Sequence, residues 1–183
     1  MTFFLKPSPV FITALFFILF CNYSFAQHWQ TPLIEGYGEI KYIDKSAEKP
    51  NPIQEYKMLF DVTSDKQKNG VNKRLWVVAR TLNMMHVAGV PSVNIKIVVA
   101  IHGAATFNIL TDEAHISIYG KPNPNNDLIQ KLKANGVSLF VCSQATAARN
   151  ITDDQVHTDV VPALSALSVL ANYQILGYHL MPK

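Results

Sequence analysis

Ile95-Lys96-Ile97-Val98-Val99-Ala100-Ile101-His102-Gly103 is the stretch that decides how this chain folds. From Ile95 to Ile101 it is apolar and largely β-branched apart from Lys96, with no alternation of polar and apolar residues. A strand half exposed to water would alternate. One covered on both faces would not, and that is the habit of a central strand in a parallel sheet. The polar pair His102-Gly103 then stops the run at its carboxyl end.

Working outward, the segments on either side alternate between strand-like and helix-like, as in an α/β layer fold. Met58-Leu59-Phe60-Asp61-Val62 reads as the first strand. A polar loop from Ser64 to Asn72, with an Asn69-Gly70 turn signal, leads to a helix over residues 73–88. Leu75, Ala79, Leu82 and Met85 fall at helical spacing there, and Gly89 and Pro91 end it. Downstream, Asn123-Pro124 is expected to cap and open a helix carrying Leu128, Ile129 and Leu132, closed by Asn135-Gly136. Val137 to Cys142 is the third strand. Thr152-Asp153-Asp154-Gln155 has the capping-box pattern of a short helix. A strand near Asp159-Val160-Val161 precedes a helix with Leu167, Leu170, Ala171 and Gln174 on one face, ended by Gly177. Tyr178 to Met181 is the last strand. The reading is five strands with helices on both faces.

The beginning of the chain is different. Lys6, the apolar run Val10 to Phe20 and the small residues Ser24 and Ala26 form an export-signal pattern, with cleavage expected after Ala26. A retained anchor is disfavoured because the run falls short of the roughly 20 residues that span a bilayer. Lipid attachment at Cys21 is disfavoured by bulky Phe20 before it. Residues 1–26 are thus read as a signal peptide, 27–55 as an extension packed across the domain, and 56–183 as one α/β domain. The extension holds Gly36, Gly38, Pro32, Pro50 and Pro52, one short strand at Glu39 to Ile43, and a mobile part at Ser46 to Pro52.

The composition excludes several classes. Of the formal charge of +3, Lys6 leaves with the signal, and no Lys/Arg cluster exceeds two adjacent residues, so a nucleic-acid partner is not expected. No apolar run after residue 26 reaches membrane length, and the mature protein is expected to be periplasmic or secreted. His86, His115, His157 and His179 lack zinc-site spacing, and neither a metal nor a cofactor is expected. No phosphate-loop, Gly-x-Gly-x-x-Gly or Gly-x-Ser-x-Gly motif occurs. Asn150-Ile151-Thr152 is a glycosylation acceptor that matters only in a host that glycosylates exported proteins.

Two chemically useful residues end successive strands, His102 and Cys142. In open parallel sheets ligands bind beyond the strands' carboxyl ends, so both can face one crevice. Cys142 is the only cysteine left after cleavage, without a disulfide partner in the chain. It is either an inert buried hydrophobe or the functional atom. His102 either supports a thiolate or caps a helix. Gly103 and the residues after it would let a helix start close to the sheet and aim N–H groups at an anion. Ser143, Thr146 and Arg149 follow Cys142 closely. Arg149 can hold an anion or lie solvated at the surface. Asp61 can line the crevice, and a hydrogen bond to the loop after it is the preferred reading.

These residues resemble the DsrE/DsrF-like family of small sulfur-metabolism proteins, in its single-domain branch. The resemblance rests on Val99-Ala100-Ile101-His102-Gly103, on residues 126–136 leading into Val137 to Cys142, on Thr146-Ala147-Ala148-Arg149-Asn150-Ile151, on Val160-Val161-Pro162, and on Tyr173-Gln174-Ile175-Leu176-Gly177-Tyr178. It covers roughly residues 57 to 183. It implies a three-layer α/β/α domain with a five-stranded, mainly parallel sheet, assembled as a trimer or hexamer. In the sulfur-relay members the cysteine at the position of Cys142 carries a persulfide between partner proteins, which implies a sulfur donor or acceptor protein here. Those members are cytoplasmic, whereas this chain carries an export signal and the extra segment 27–55.

Two functions follow as expectations. One is a thiol-dependent persulfide carrier acting through Cys142 with His102. The other is a non-catalytic, oligomeric module that binds a ligand or partner and keeps Cys142 as a buried structural residue.

Overall fold

The computed structural model of the protein describes residues 28–182, so the expected export signal lies outside the described residues. In chain order the elements are β1 (Tyr56–Val62), β2 (Gln67–Lys68), β3 (Val71–Asn72), α1 (Lys73–Val87), β4 (Ile95–Ile101), a 3-10 helix (Gly103–Ile109) and α2 (Asp112–Tyr119). They continue with α3 (Asn126–Ala134), β5 (Ser138–Cys142), α4 (Ser143–Ala147), a 3-10 turn (Asp153–Gln155), β6 (Val161–Ala163), α5 (Ala166–Ile175) and β7 (His179–Leu180). Five strands form one sheet in the order β6-β5-β4-β1-β7, every pairing parallel. The apolar β4 lies at its centre, between β1 (Tyr56 opposite Ile95, Val62 opposite Ile101) and β5 (Ile101 opposite Val141).

The two-residue period of the strands sorts their side chains onto two unlike faces. Phe60, Val62, Val99, Ile101, Leu139 and Val141 enter a core with Leu75, Trp76 and Leu82 of α1 and Ile129 and Leu132 of α3. Each such side chain contributes about 1.5–3 kcal/mol when fully buried. The opposite face places Leu59, Val98, Ala100 and Cys142 under Ala166 and Val169 of α5. The residues are smaller there because one helix lies close against the sheet.

Local chemistry sets the element ends. Asn69 (φ 51°) and Gly70 (φ 83°) both take left-handed backbone, the two-residue turn that joins β2 to β3 as a hairpin. Asn72 caps α1, its Oδ1 accepting from Arg74 N at 2.9 Å and Leu75 N at 3.2 Å. The capping box at Thr152 and Gln155 forms as expected, on a single 3-10 turn.

Four sequence expectations need correction. The helix expected to open at Pro124 begins two residues later at Asn126, although Asn123 Oδ1 still accepts from Asn125 N at 3.0 Å. The strand expected from Asp159 starts at Val161, because Asp159 N and Val160 N are turned back onto His157. Glu39 to Ile43 makes only the isolated bridge Ile40–Gln30. On α5, Leu167 and Ala171 face solvent, and Ala166, Val169, Leu170 and Tyr173 make the packed side.

The extension lies against α1, not along a sheet edge. Ile34 is fully buried in the main core. Asn83, in the middle of α1, accepts from Leu33 N (2.9 Å) and Ile34 N (2.8 Å) and donates to Tyr37 O (2.8 Å) and Gly38 O (2.9 Å). Gly38 has φ 65°, and a Cβ there would run into the backbone of Ala79 and Arg80. Glycine permits that contact. Tyr37 is pushed up to about 12 by burial and by its hydrogen bond to Asp127.

Candidate functional site

The carboxyl ends of β1, β4 and β5 bring Asp61, His102 and Cys142 onto one face of the sheet. Alternation puts Lys57, Leu59 and Asp61 on the α5 side of β1, and Val98 and Ala100 on the same side of β4. His102 continues β4 in extended conformation, its N–H donating to Val62 O at 2.9 Å. It therefore takes the register position beside Cys142, one beyond the pair Ile101–Val141.

His102 Nε2 and Asp61 Oδ1 lie 2.8 Å apart, with the Asp61 side chain 11% and the His102 side chain 29% exposed. His102 thus makes no side-chain cap for the helix after it. Asp61, expected to line the crevice or to bond the loop after it, makes this hydrogen bond with His102 among its contacts. Gly103 (φ 60°) passes so close to β1 that a Cβ would lie 2.9 Å from Thr63 O. The short helix does start tight against the sheet, but Ala105 N is already committed to Thr63 O at 3.2 Å.

Cys142 is 7% exposed and unpaired. Burial pushes its thiol up, yet the N–H groups of Ala166, Ala145 and Gln144 and the Ser165 side chain outweigh burial and hold it below the ordinary thiol value. The donors come from the starts of two helices, α4 directly after β5 and α5 directly after β6. β6 pairs with β5 so that Ala163 stands opposite Cys142, and Ser165 caps α5 through a bond from Leu167 N at 3.2 Å. Two chain reversals therefore converge on one sulfur atom. That stabilises the thiolate, the form that attacks electrophilic sulfur.

The remaining expected site residues divide. Ser143 opens α4, and Thr146 is buried, its hydroxyl donating to Ser143 O at 3.1 Å. Arg149 Nη1 donates to Ala145 O at 2.9 Å, and the guanidinium lies 5.7 Å from the Phe107 ring centre. Its contacts tie the turn after α4 to the 3-10 helix. Among the described residues no group of three His, Cys, Asp or Glu side chains is placed to hold a metal ion. Nor is any described helix long and apolar enough to cross a membrane.

Sequence reasoning missed two features. Ser165 and Ala166 support the thiol from a loop far along the chain, and the signal available was Ser165 as a helix cap before an apolar run. Behind the strand ends, four asparagines form one buried network. Asn72 N donates to Asn125 Oδ1 (2.7 Å), Asn125 Nδ2 to Asn123 Oδ1 (2.9 Å) and Asn108 Oδ1 (3.2 Å), and Asn123 Nδ2 to Leu110 O (2.8 Å). It locks the caps of α1 and α3 to the loop after β4.

The fold, a five-stranded parallel sheet flanked by helices, is shared with known proteins. The family model for the DsrE/DsrF-like family matches residues 57–182, and the chain belongs to that family. The solved structure of a protein of unknown function, MTH1491, from Methanobacterium thermoautotrophicum has the same fold. It superposes with a TM-score of 0.55 at 16% identity, over 69% of this chain and 98% of that one. No curated protein matches the chain.

Proposed function

We propose that this protein is an exported persulfide carrier that works through Cys142. The observation that carries the reading is the place of Cys142 at the carboxyl end of β5, where α4 begins and where the start of α5 follows β6 opposite it, and the N–H groups there hold the thiol below its ordinary value. In the step proposed, the Cys142 thiolate attacks the outer sulfur of a donor persulfide. A new S–S bond forms as the donor's S–S bond breaks, and the electron pair leaves on the donor's own sulfur as a thiolate. No net oxidation occurs, and the same exchange in reverse passes the sulfur to an acceptor protein. Asp61 fixes the His102 ring through Nε2, at the strand position next to that of Cys142. The signal pattern around Lys6 and Ala26 supports export.

A homo-oligomer, trimer or hexamer, belongs to the same proposal. It is supported by Leu164 and Leu167, 76% and 74% exposed at the start of α5, with Ile175, Leu176 and Leu180 also uncovered nearby. Light scattering on protein beginning at Gln27 tests it, and a monomer at micromolar concentration would overturn it.

The second reading, a binding module with a structural cysteine, is favoured by the low exposure of Cys142. Incubation of native protein with glutathione persulfide, followed by intact-mass measurement, separates the two. The carrier gains one sulfur on the wild type and none on Cys142→Ser, and cyanide then releases it as thiocyanate. A native thiol that takes up no sulfur, while the denatured one does, leaves the binding module.

A further inference from the structure

A cleft of about 490 Å³ opens at the carboxyl end of β1, beside the start of α1, and its walls include Lys66, Lys73, Arg74, Thr63, Ser64 and Asp61. Three cations and two hydroxyl-bearing residues thus face one carboxylate. Asp61 is also the hydrogen-bond partner of His102, 2.8 Å from its Nε2.

The placement of the cations is locally unfavourable. α1 opens with Lys73-Arg74 and has no acidic residue in its first turn, whereas α2 opens with Asp112 and Glu113 and α3 carries Asp127. Cations at a helix amino terminus oppose the helix dipole. Among the described residues no carboxylate forms a salt bridge with the Lys66 or Lys73 ammonium. Arg74 is fixed by Nη2 donating to Met181 O at 2.8 Å and by the Phe60 ring 4.9 Å away, while its buried Nε has no acceptor among the described residues. Burial lowers Arg74 and the Asp61 charge opposes that, so this guanidinium is partly stripped of water. A rule of local stability broken this way, next to an orphaned donor, marks a place built for a ligand.

We infer that this cleft binds the oxyanion group of a small molecule, a sulfonate, phosphate or carboxylate, with Lys66, Lys73 and Arg74 as its cationic contacts. The backbone at the start of α1 adds little, since Asn72 and Lys66 O already take the N–H groups of Lys73, Arg74 and Leu75. Side chains provide the recognition, and Arg74, held on both flanks, supplies a preset fork. The site stands independently of sulfur transfer: an anion binds here whether or not Cys142 carries a persulfide.

Thermal melts of the mature protein with sodium sulfate, and separately with sodium acetate, against sodium chloride at equal ionic strength test this. The expected result is a saturable rise in Tm with at least one of the two oxyanions beyond the chloride effect. In the double variant Lys66→Gln with Lys73→Gln, both residues exposed and remote from the core, the affinity from the titration should weaken by about tenfold or more. The unliganded variant should melt no lower than the wild type, because like charges at a helix start have been removed. An oxyanion effect no larger than that of chloride, or one that persists unweakened in the double variant, overturns the inference.

Discussion

The two faces of the sheet are built for different tasks. The α1–α3 side is thick: Phe60, Trp76, Leu75, Leu128 and Ile129 interdigitate, and the extension adds Ile34 as a further peg. The α5 side is thin, one helix over Leu59, Val98, Ala100, Cys142 and Ala145. A thick face tolerates no gap and so carries the stability. A thin face of small residues brings helix starts within hydrogen-bonding reach of a strand end, which large side chains would prevent. Stability and candidate chemistry thus occupy opposite sides of five shared strands.

The largest effect is expected on the thick side. Leu75→Ala removes a fully buried side chain that helix and sheet hold in place, and should cost about 2–5 kcal/mol in denaturant melts. A cost no greater than that of a substitution at Cys142 would break the division between the faces. Next comes Asn83→Ala. It strips partners from Leu33 N, Ile34 N, Tyr37 O and Gly38 O, and leaving buried backbone groups unpaired costs about 1–3 kcal/mol. Limited proteolysis should then cut within residues 30–40 well before the sheet domain yields. Simultaneous loss of both would show instead that extension and domain unfold as one unit.

On the thin side Cys142→Ser should shift stability by about 1 kcal/mol or less. The new hydroxyl inherits the N–H donors of Ala166, Ala145 and Gln144, so it is not left unsatisfied in an apolar site. Persulfide loading should nevertheless vanish. A loss of several kcal/mol would return Cys142 to the role of core filler.

The same contrast explains what could be read from the sequence. Ile95 to Ile101 announced a doubly covered strand because burial on both faces leaves its mark in every residue, and Asn69-Gly70 announced its turn because few other pairs accept two left-handed residues. The Asp61–His102–Cys142 row was half legible: strand ends marked His102 and Cys142, but the partner of Asp61 depends on register between β1 and β4. Ser165 and the asparagine network were illegible, since their bonds join segments far apart along the chain. Glu39 to Ile43 looked like a strand by composition. It is not one because the surface it meets is a helix, whose backbone hydrogen bonds are already spent, and the Arg80 side chain donates to Glu39 O instead. Residues 103–109 and 112–119 gave no helical period strong enough to read, being a 3-10 segment and a helix of barely two turns.

The smallest expected effect is a pH dependence, and it has a definite sign. Because the folded Cys142 thiol lies below its ordinary value, the folded protein releases this proton before the unfolded chain does. Stability should therefore rise with pH between the folded and the unfolded thiol values, and the gain should be lost as pH falls through the folded value. Tyr37, raised to about 12, acts in the opposite sense, but only above the ordinary tyrosine range near ~10. The thiol's window thus lies on the acid side of the tyrosine's. Chemical melts across the mildly alkaline range should show the rise in the wild type and none in Cys142→Ser. The alkylation rate of the native thiol should report the same lowered value. In His102→Gln both should persist, because the donors that lower the thiol come from α4 and α5 and not from the imidazole. If the shift disappears with His102, the thiolate is held by the Asp61–His102 pair, and the convergence of two helix starts is packing alone.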